Sequence, residues 1–512
     1  MVPRKIILFV LIGLLVSLFT ACSSSETKTS ESSTEDSIKE LTFLSNFPSE
    51  TLDPHLNYTP VRAGVAETLV KINENLELEP WLAEKWGSRD NGKTWTFNIR
   101  EDVMFQNGKK LDALAVKKSL ERNIEVSEAM KSTLKLKSID AKGQTVTLHL
   151  EEALPELPSE LVHPNTAIID TEEEKIAQNP VGTGAFKVVT FAPGSKVELE
   201  RNNRYWGGKP KLDRAVFTFN EDANARTLAL QSGDADIVYR PAIESIEQLE
   251  KDYSLKIDVV PGIRSQMVLY NFDSPFKDQN LRKAFDSMID RELVVSSTLN
   301  GYATTAGGPF SSELPFASNE KKEYDLEKAK SYLKAAGVEM KDGKAKKDGH
   351  ALSFNLLTYS YRPELPLMAQ ILQSNAKQLG IGIKIQQVEN IDEEMAQKDD
   401  WDLATYSLLT VPRGDASYFL NSAYRPGGWL HEAGRIDDKE LTGVIEQLNL
   451  TVDKEKREEL AKTSSDIINE RTLHSFIVHP SLVTAYKDDV KNWVTSKSEF
   501  YVLTKELDVQ AE

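Results

Sequence analysis

Apolar residues along this chain recur at two spacings, every second position in short runs and every third or fourth in longer ones. Trp95, Phe97 and Ile99 alternate with polar neighbours, as do Val146, Leu148 and Leu150, and each run predicts a half-buried strand. Leu41 to Leu44 is a shorter strand run, and Leu52-Asp53-Pro54 turns out of it. Helical spacing follows Asp112 in Ala113, Val116, Leu120 and Ile124. It follows Asp325, a natural N-cap, in Ala329, Tyr332, Leu333 and Ala336, with Gly337 as the stop. Leu441, Val444, Ile445 and Leu448 repeat the pattern. Ser353 to Thr358 reads as a strand and Leu367 to Leu379 as a helix stopped by Gly380, after which Ile381, Ile383 and Ile385 alternate. Strand, helix and strand at that length imply a parallel, right-handed crossover. The fold class is α/β, with no internal repeat.

The first residues follow neither spacing. Arg4 and Lys5 precede an uncharged, mostly apolar run from Ile6 to Thr20, closed by Thr20-Ala21-Cys22. This is the layout of a secretory signal peptide over 1–21. Phe19-Thr20-Ala21-Cys22 looks like the lipobox of bacterial lipoproteins, with Phe where Leu is more usual. Cys22 is the only cysteine of 512 residues, so no disulfide framework exists and lipidation is its expected role. Two acyl chains on it would anchor the protein stably to a membrane. Ser23 to Ser37 contains no apolar residue, and 22–40 reads as the lipidated cysteine and a flexible tether. No later segment is apolar for long enough to span a bilayer. The net charge of −17 disfavours nucleic acid and anionic membrane surfaces as partners.

Six stretches in one order carry a resemblance. They are Leu82 to Gly108 (LAEKWGSRDNGKTWTFNIREDVMFQNG), Pro180 to Phe186, Arg201 to Asp213, Ser232 to Ile237, Asn271 to Arg291 and Tyr324 to Gly337. Together the chain resembles the family 5 extracellular solute-binding proteins, which serve peptide and nickel importers. In the first stretch Asn91-Gly92 is a hairpin-turn dipeptide and Gln106-Asn107-Gly108 stands where His-Asp-Gly is common. The resemblance implies a two-lobed, type II periplasmic-binding-protein fold that closes on its ligand by hinge motion. Lobe I would be 41–259, with an inserted subdomain at about 71–170, completed by 480–512; lobe II would be 260–479. It further implies a monomer, an ABC permease as partner and an extracytoplasmic location. Gly182-Thr183-Gly184 has no lysine and hydroxyl pair after it and is a structural turn rather than a phosphate loop.

Peptide-binding members fix the ligand's amino group with a carboxylate. If Asp415 aligns with the acid of their Asp-Pro pair, that position is Pro412 here, beside Arg413. A proline cannot hold an ammonium and an arginine repels it, whereas a guanidinium grips carboxylates. This favours the nickel branch, whose members carry the metal as a chelate with small carboxylate ligands such as histidine. The departures are Asn165 and Met130, near where that branch has an arginine and a tryptophan. The candidate ligand-binding residues are Tyr58, Arg62, Arg264, Tyr406, Arg413 and Trp429. His431 is the first candidate to approach the metal and His163 the second; His55 is expected to cap a turn. No two of the seven histidines stand at i, i+4, so no all-protein metal cage is expected, and nickel would come as part of the ligand, not as a cofactor. Short peptides are the alternative ligand. A secreted enzyme is the remote third reading, because no nucleophile elbow, metal-protease helix or catalytic cysteine is present.

Overall fold

The computed structural model describes residues 38–318 and 320–510. Cys22, the signal peptide and the tether as far as residue 37 lie outside the described residues. Local signals place most elements as expected. Asp112 accepts from Ala115 N at 2.8 Å and opens the helix Ala113–Val126. Asp325 accepts from Lys328 N at 2.8 Å and opens Leu326–Ala335. Asn91 and Gly92, with φ of 54° and 90°, turn the strand Ala83–Ser88 into Thr94–Ile99, whose Trp95, Phe97 and Ile99 are buried. One element differs from expectation. The long helix begins at Glu364, directly after Pro363, rather than at Leu367. Arg62 closes a one-turn helix, Thr59–Arg62.

Two large sheets organise the body. The first has seven strands in the order Leu255–Val260, Leu482–Lys487, Ile237–Tyr239, Glu40–Ser45, Arg214–Phe219, Lys196–Arg201 and Phe186–Ala192. Glu40–Ser45 lies parallel to both of its neighbours. The second has six, in the order Ala303–Thr305, Ser475–Pro480, Arg264–Tyr270, Leu403–Leu409, Ser353–Tyr359 and Gly382–Val388. Ser353–Tyr359 pairs in parallel with Gly382–Val388 across the helix Glu364–Gln378, the crossover that the pattern predicts. A separate four-stranded antiparallel sheet, from Ala83–Ser88 to Thr145–Leu150, forms within the expected insert and packs the helix Ala113–Val126 on its strands.

The chain passes from the first sheet to the second between Val260 and Arg264, and returns between Pro480 and Leu482. These two passages touch. A Cβ on Gly262 would stand 2.0 Å from the Pro480 carbonyl oxygen, so only glycine allows them to lie together. Among the described residues no helix is long and apolar enough to cross a membrane.

Candidate ligand-binding site

Arginines from both sheets converge on one carboxylate. Glu499 is buried, although it comes from the irregular segment that follows the last long strand. Arg240 donates from Nη2 to its Oε1 at 2.5 Å, and Arg62 donates from Nε to its carbonyl oxygen at 2.9 Å. Arg240 and Glu499 both hold left-handed backbone, φ 52° and 63°, a strain kept only where the surroundings over-determine it. Arg264 and Arg362 complete the cluster from the second sheet. Burial opposes ionisation of Glu499, but Arg240, then Arg264, Arg62 and Arg362, outweigh it and hold the carboxyl down at about 2. Arg264 reaches only Ser407, at 3.4 and 3.5 Å, and the Nε atoms of Arg240 and Arg264 are buried without a partner. A cavity of about 520 Å³ lies among them, lined by Asn46, Arg240, Arg264, Tyr361, Arg362 and Glu499.

An aromatic wall adjoins this charge. The rings of Tyr359 and Tyr406 are 6.1 Å apart and those of Tyr406 and Trp429 5.6 Å. Tyr406 donates to Asp392 at 2.8 Å, while Trp429 keeps 39% of its surface exposed. On the other side the Arg62 guanidinium lies 5.2 Å from the Phe47 ring centre and 5.4 Å from that of Tyr58. Of the expected residues, Tyr58, Arg62, Arg264, Tyr406 and Trp429 therefore belong to one region between the sheets.

The profile of the Bacterial extracellular solute-binding proteins, family 5 Middle, matches residues 77–430. The chain belongs to this family. It is 33% identical over 467 residues to the nickel-binding protein NikA of Staphylococcus aureus, covering 91% of this chain and 93% of that one. A solved structure of a nickel ABC transporter from Bacillus halodurans is 49% identical, with a TM-score of 0.82 over 92% of this chain and 100% of that one. NikA from Staphylococcus aureus in complex with Ni(L-His)2 aligns at a TM-score of 0.78 and 31% identity, over 92% of this chain and 100% of that one. The two-lobed α/β architecture is thus that of a solute-binding protein of ABC transporters.

In this family 5 chain Arg413, His163 and His55 make contacts other than those expected. Arg413, expected to meet the ligand, is buried and donates from Nη2 to Glu160 Oε1 at 2.7 Å. Its guanidinium also covers the Tyr418 ring at 4.7 Å, and its carbonyl accepts from Ser159 Oγ. The ion pair engages its Nη2, while its Nε is buried without a partner. His163 accepts from Asn165 N at Nδ1, 3.1 Å, so the neutral ring carries its proton on Nε2 and donates to Tyr58 Oη at 3.1 Å. Burial, then Arg413, holds its pKa well below the usual range. In this conformation His163 offers no free nitrogen to a metal. His431 donates from Nδ1 to Glu432 at 3.2 Å, which leaves Nε2 as the atom available for ligation. His55 does not cap the turn; the Asp53 carboxylate accepts from His55 N, and the imidazole is buried against Arg122 and the Ala167 carbonyl. Among the described residues no three His, Cys, Asp or Glu side chains gather as a metal-holding group.

The Arg413 contact is one part of a larger junction. Arg457 holds Asp415 through two bonds, of 2.9 and 2.8 Å, and stands 3.8 Å from Glu156. Burial, with Asp415 and Glu160 adding to it against Arg457, pushes the Glu156 carboxyl up to about 7. An unfolded glutamate titrates near about 4.3. The folded chain therefore binds this proton more tightly, and the stability it brings is complete below about pH 4.3 and lost as pH rises through 7. Glu156→Gln should consequently melt higher than the wild type at pH 8, with the gap closing at pH 4.5. Thermal melts at both values check this, and an equal gap at both would refute the assignment.

Proposed function

We propose that this chain is the ligand-capturing lipoprotein of an ABC importer, anchored outside the cell membrane through Cys22, and that it carries nickel as a chelate with small carboxylate-bearing ligands. The observation that carries this reading is the charge of the cleft. Four guanidiniums, of Arg62, Arg240, Arg264 and Arg362, act on the buried carboxylate of Glu499, inside a chain whose net charge is −17. Such a site attracts carboxylates and repels the ammonium of a peptide. Aromatic faces at Tyr58, Tyr406 and Trp429 suit the flat imidazole rings of a histidine chelate. A chelate also brings most of the metal's donors with it, so one protein imidazole suffices. The nickel-binding relatives agree with this choice.

The lobes would part at the touching passages around Gly262 and Pro480, with 41–259 and 480–512 as one body and 260–479 as the other. His431 is assigned as the single protein donor, through Nε2. Substituting His431 by alanine should weaken binding of nickel with two equivalents of L-histidine at least tenfold, about 1.4 kcal/mol. Isothermal calorimetry reads this directly. Unchanged affinity removes His431 from the metal. A wild-type protein that ignores nickel–histidine and retains a peptide in native mass spectrometry removes the chelate reading altogether.

A further inference from the structure

Three parallel strands of the first sheet end together at the cleft. Glu40–Ser45 runs between Arg214–Phe219 and Ile237–Tyr239, and Asn46, Glu221 and Arg240, just past the three ends, all line the cavity. The carboxyl ends of such strands are where open α/β sheets hold their ligands. Two of these ends are tied by Arg226, a buried residue of the helix Ala223–Ser232, which Asp222 caps by accepting from Ala225 N at 2.9 Å. Its guanidinium donates to four main-chain carbonyls: from Nη1 to Asn220 at 2.8 Å and Glu221 at 2.9 Å, from Nε to Tyr239 at 3.0 Å, and from Nη2 to Arg240 at 2.5 Å. Thr227, the next residue, accepts at Oγ1 from Ala242 N at 2.9 Å. The start of one helix thus grips the segment from Tyr239 to Ala242 on both sides of Arg240. That grip matters because Arg240 has φ 52°, a conformation an arginine keeps only where its surroundings over-determine it. From this backbone its Nη2 reaches Glu499.

Building on the reading that the cleft takes a carboxylate-bearing ligand, we propose that Arg226 and Thr227 are positioning residues of the ligand site: they clamp the left-handed backbone of Arg240 and so fix where its guanidinium meets Glu499 and the ligand. Arg240 follows a strand of the first sheet, and Glu499 comes from the segment after Leu482–Lys487, a strand of the same sheet. In the division of lobes proposed above both stand on the first lobe, so the pair is set before a ligand arrives. A lysine at 226 would keep the charge, but a single ammonium cannot reproduce the planar fork that spans four carbonyls.

The test uses the whole mature protein and begins without ligand. Burial opposes ionisation of Glu499, and Arg240 is foremost among the arginines that hold its carboxyl down at about 2. The carboxyl-carbon NMR signal of Glu499, identified by its loss in Glu499→Gln, should therefore stay that of the ionised form down to about pH 3 in wild type. In Arg226→Lys its midpoint should lie above about pH 3, a change that loss of packing alone would not produce. Calorimetry with nickel and two equivalents of L-histidine should show Arg226→Lys binding about tenfold or more weakly, and that loss should shrink below about threefold when Arg240 is already replaced in Arg240→Gln. Thr227→Val frees only Ala242 N and carries the same measurements if Arg226→Lys does not fold. A folded variant whose Glu499 midpoint does not rise, an unchanged affinity, or a loss that persists in full beside Arg240→Gln overturns the proposal. A raised midpoint in a protein whose wild type ignores nickel–histidine keeps the clamp on Arg240 and removes only the chelate reading.

Discussion

Glu160→Ala should weaken ligand binding by about a hundredfold or more while leaving the melting temperature of the ligand-free protein nearly unchanged. The two effects separate because of where the partners lie. Glu160 ends a short helix beside the four-stranded insert sheet, and Arg413 sits in the loop after a strand of the second large sheet. Removing one partner of a buried pair costs roughly 3–5 kcal/mol, because the other is left as an uncompensated charge. With lobes that open as proposed, water reaches Arg413 and the penalty falls on the closed state alone. At about 1.4 kcal/mol per decade of affinity, the lower end of that range already gives about a hundredfold. Calorimetry with nickel–histidine measures the loss, and small-angle scattering should show a larger radius of gyration with ligand present. Glu160→Ala/Arg413→Ala should recover most of the affinity. A single variant that melts much lower but binds and closes normally would mean that the pair supports the fold rather than closure.

Gly414→Ala should act on closure by a different route. Gly414 has φ 78°, and a Cβ there would stand 2.2 Å from the carbonyl oxygen of Leu76, in the turn of the hairpin Val70–Pro80. The left-handed backbone costs an alanine about 1–2 kcal/mol whether the lobes are open or closed. The overlap with Leu76 arises only when the lobes meet, and a backbone oxygen cannot swing aside as a side chain would. Affinity should fall at least tenfold and the melting temperature by only a few degrees. Unchanged affinity would show that the hairpin yields and that Leu76 sets no limit on closure.

The sequence made some of this legible and hid the rest for identifiable reasons. Asp112, Asp325 and Asn91-Gly92 act through bonds within a few residues, so their helices and turn follow from local chemistry. The start at Glu364 was missed because the apolar count began at Leu367, although Pro363 is itself a start signal. Tyr58, Arg62, Arg264, Tyr406 and Trp429 were reached through resemblance; the structure places Tyr58 against Arg62 and Tyr406 against Trp429, and Arg62 and Arg264 both near Glu499. Arg240, Arg362 and Glu499 were not reached: no spacing links three residues that stand so far apart in the chain and meet only in the folded protein. Arg413 was visible as a charge, but its partner lies 253 residues away, and that pairing decides what the charge does. Burial of this kind is a property of the assembled lobes and leaves no period in the chain.

The strand Leu482–Lys487 has a consequence for how the protein is made. It lies inside the first sheet, between Leu255–Val260 and Ile237–Tyr239, rather than at its edge. Pairing across more than two hundred residues is slow, and here it cannot begin until almost the whole chain has been released. The second sheet needs nothing beyond Pro480 and can form first. A chain threaded out of the cytoplasm amino end first therefore keeps its leading half incomplete until its last thirty or so residues arrive. Arrival of the carboxyl-terminal segment is then the step that completes the first sheet.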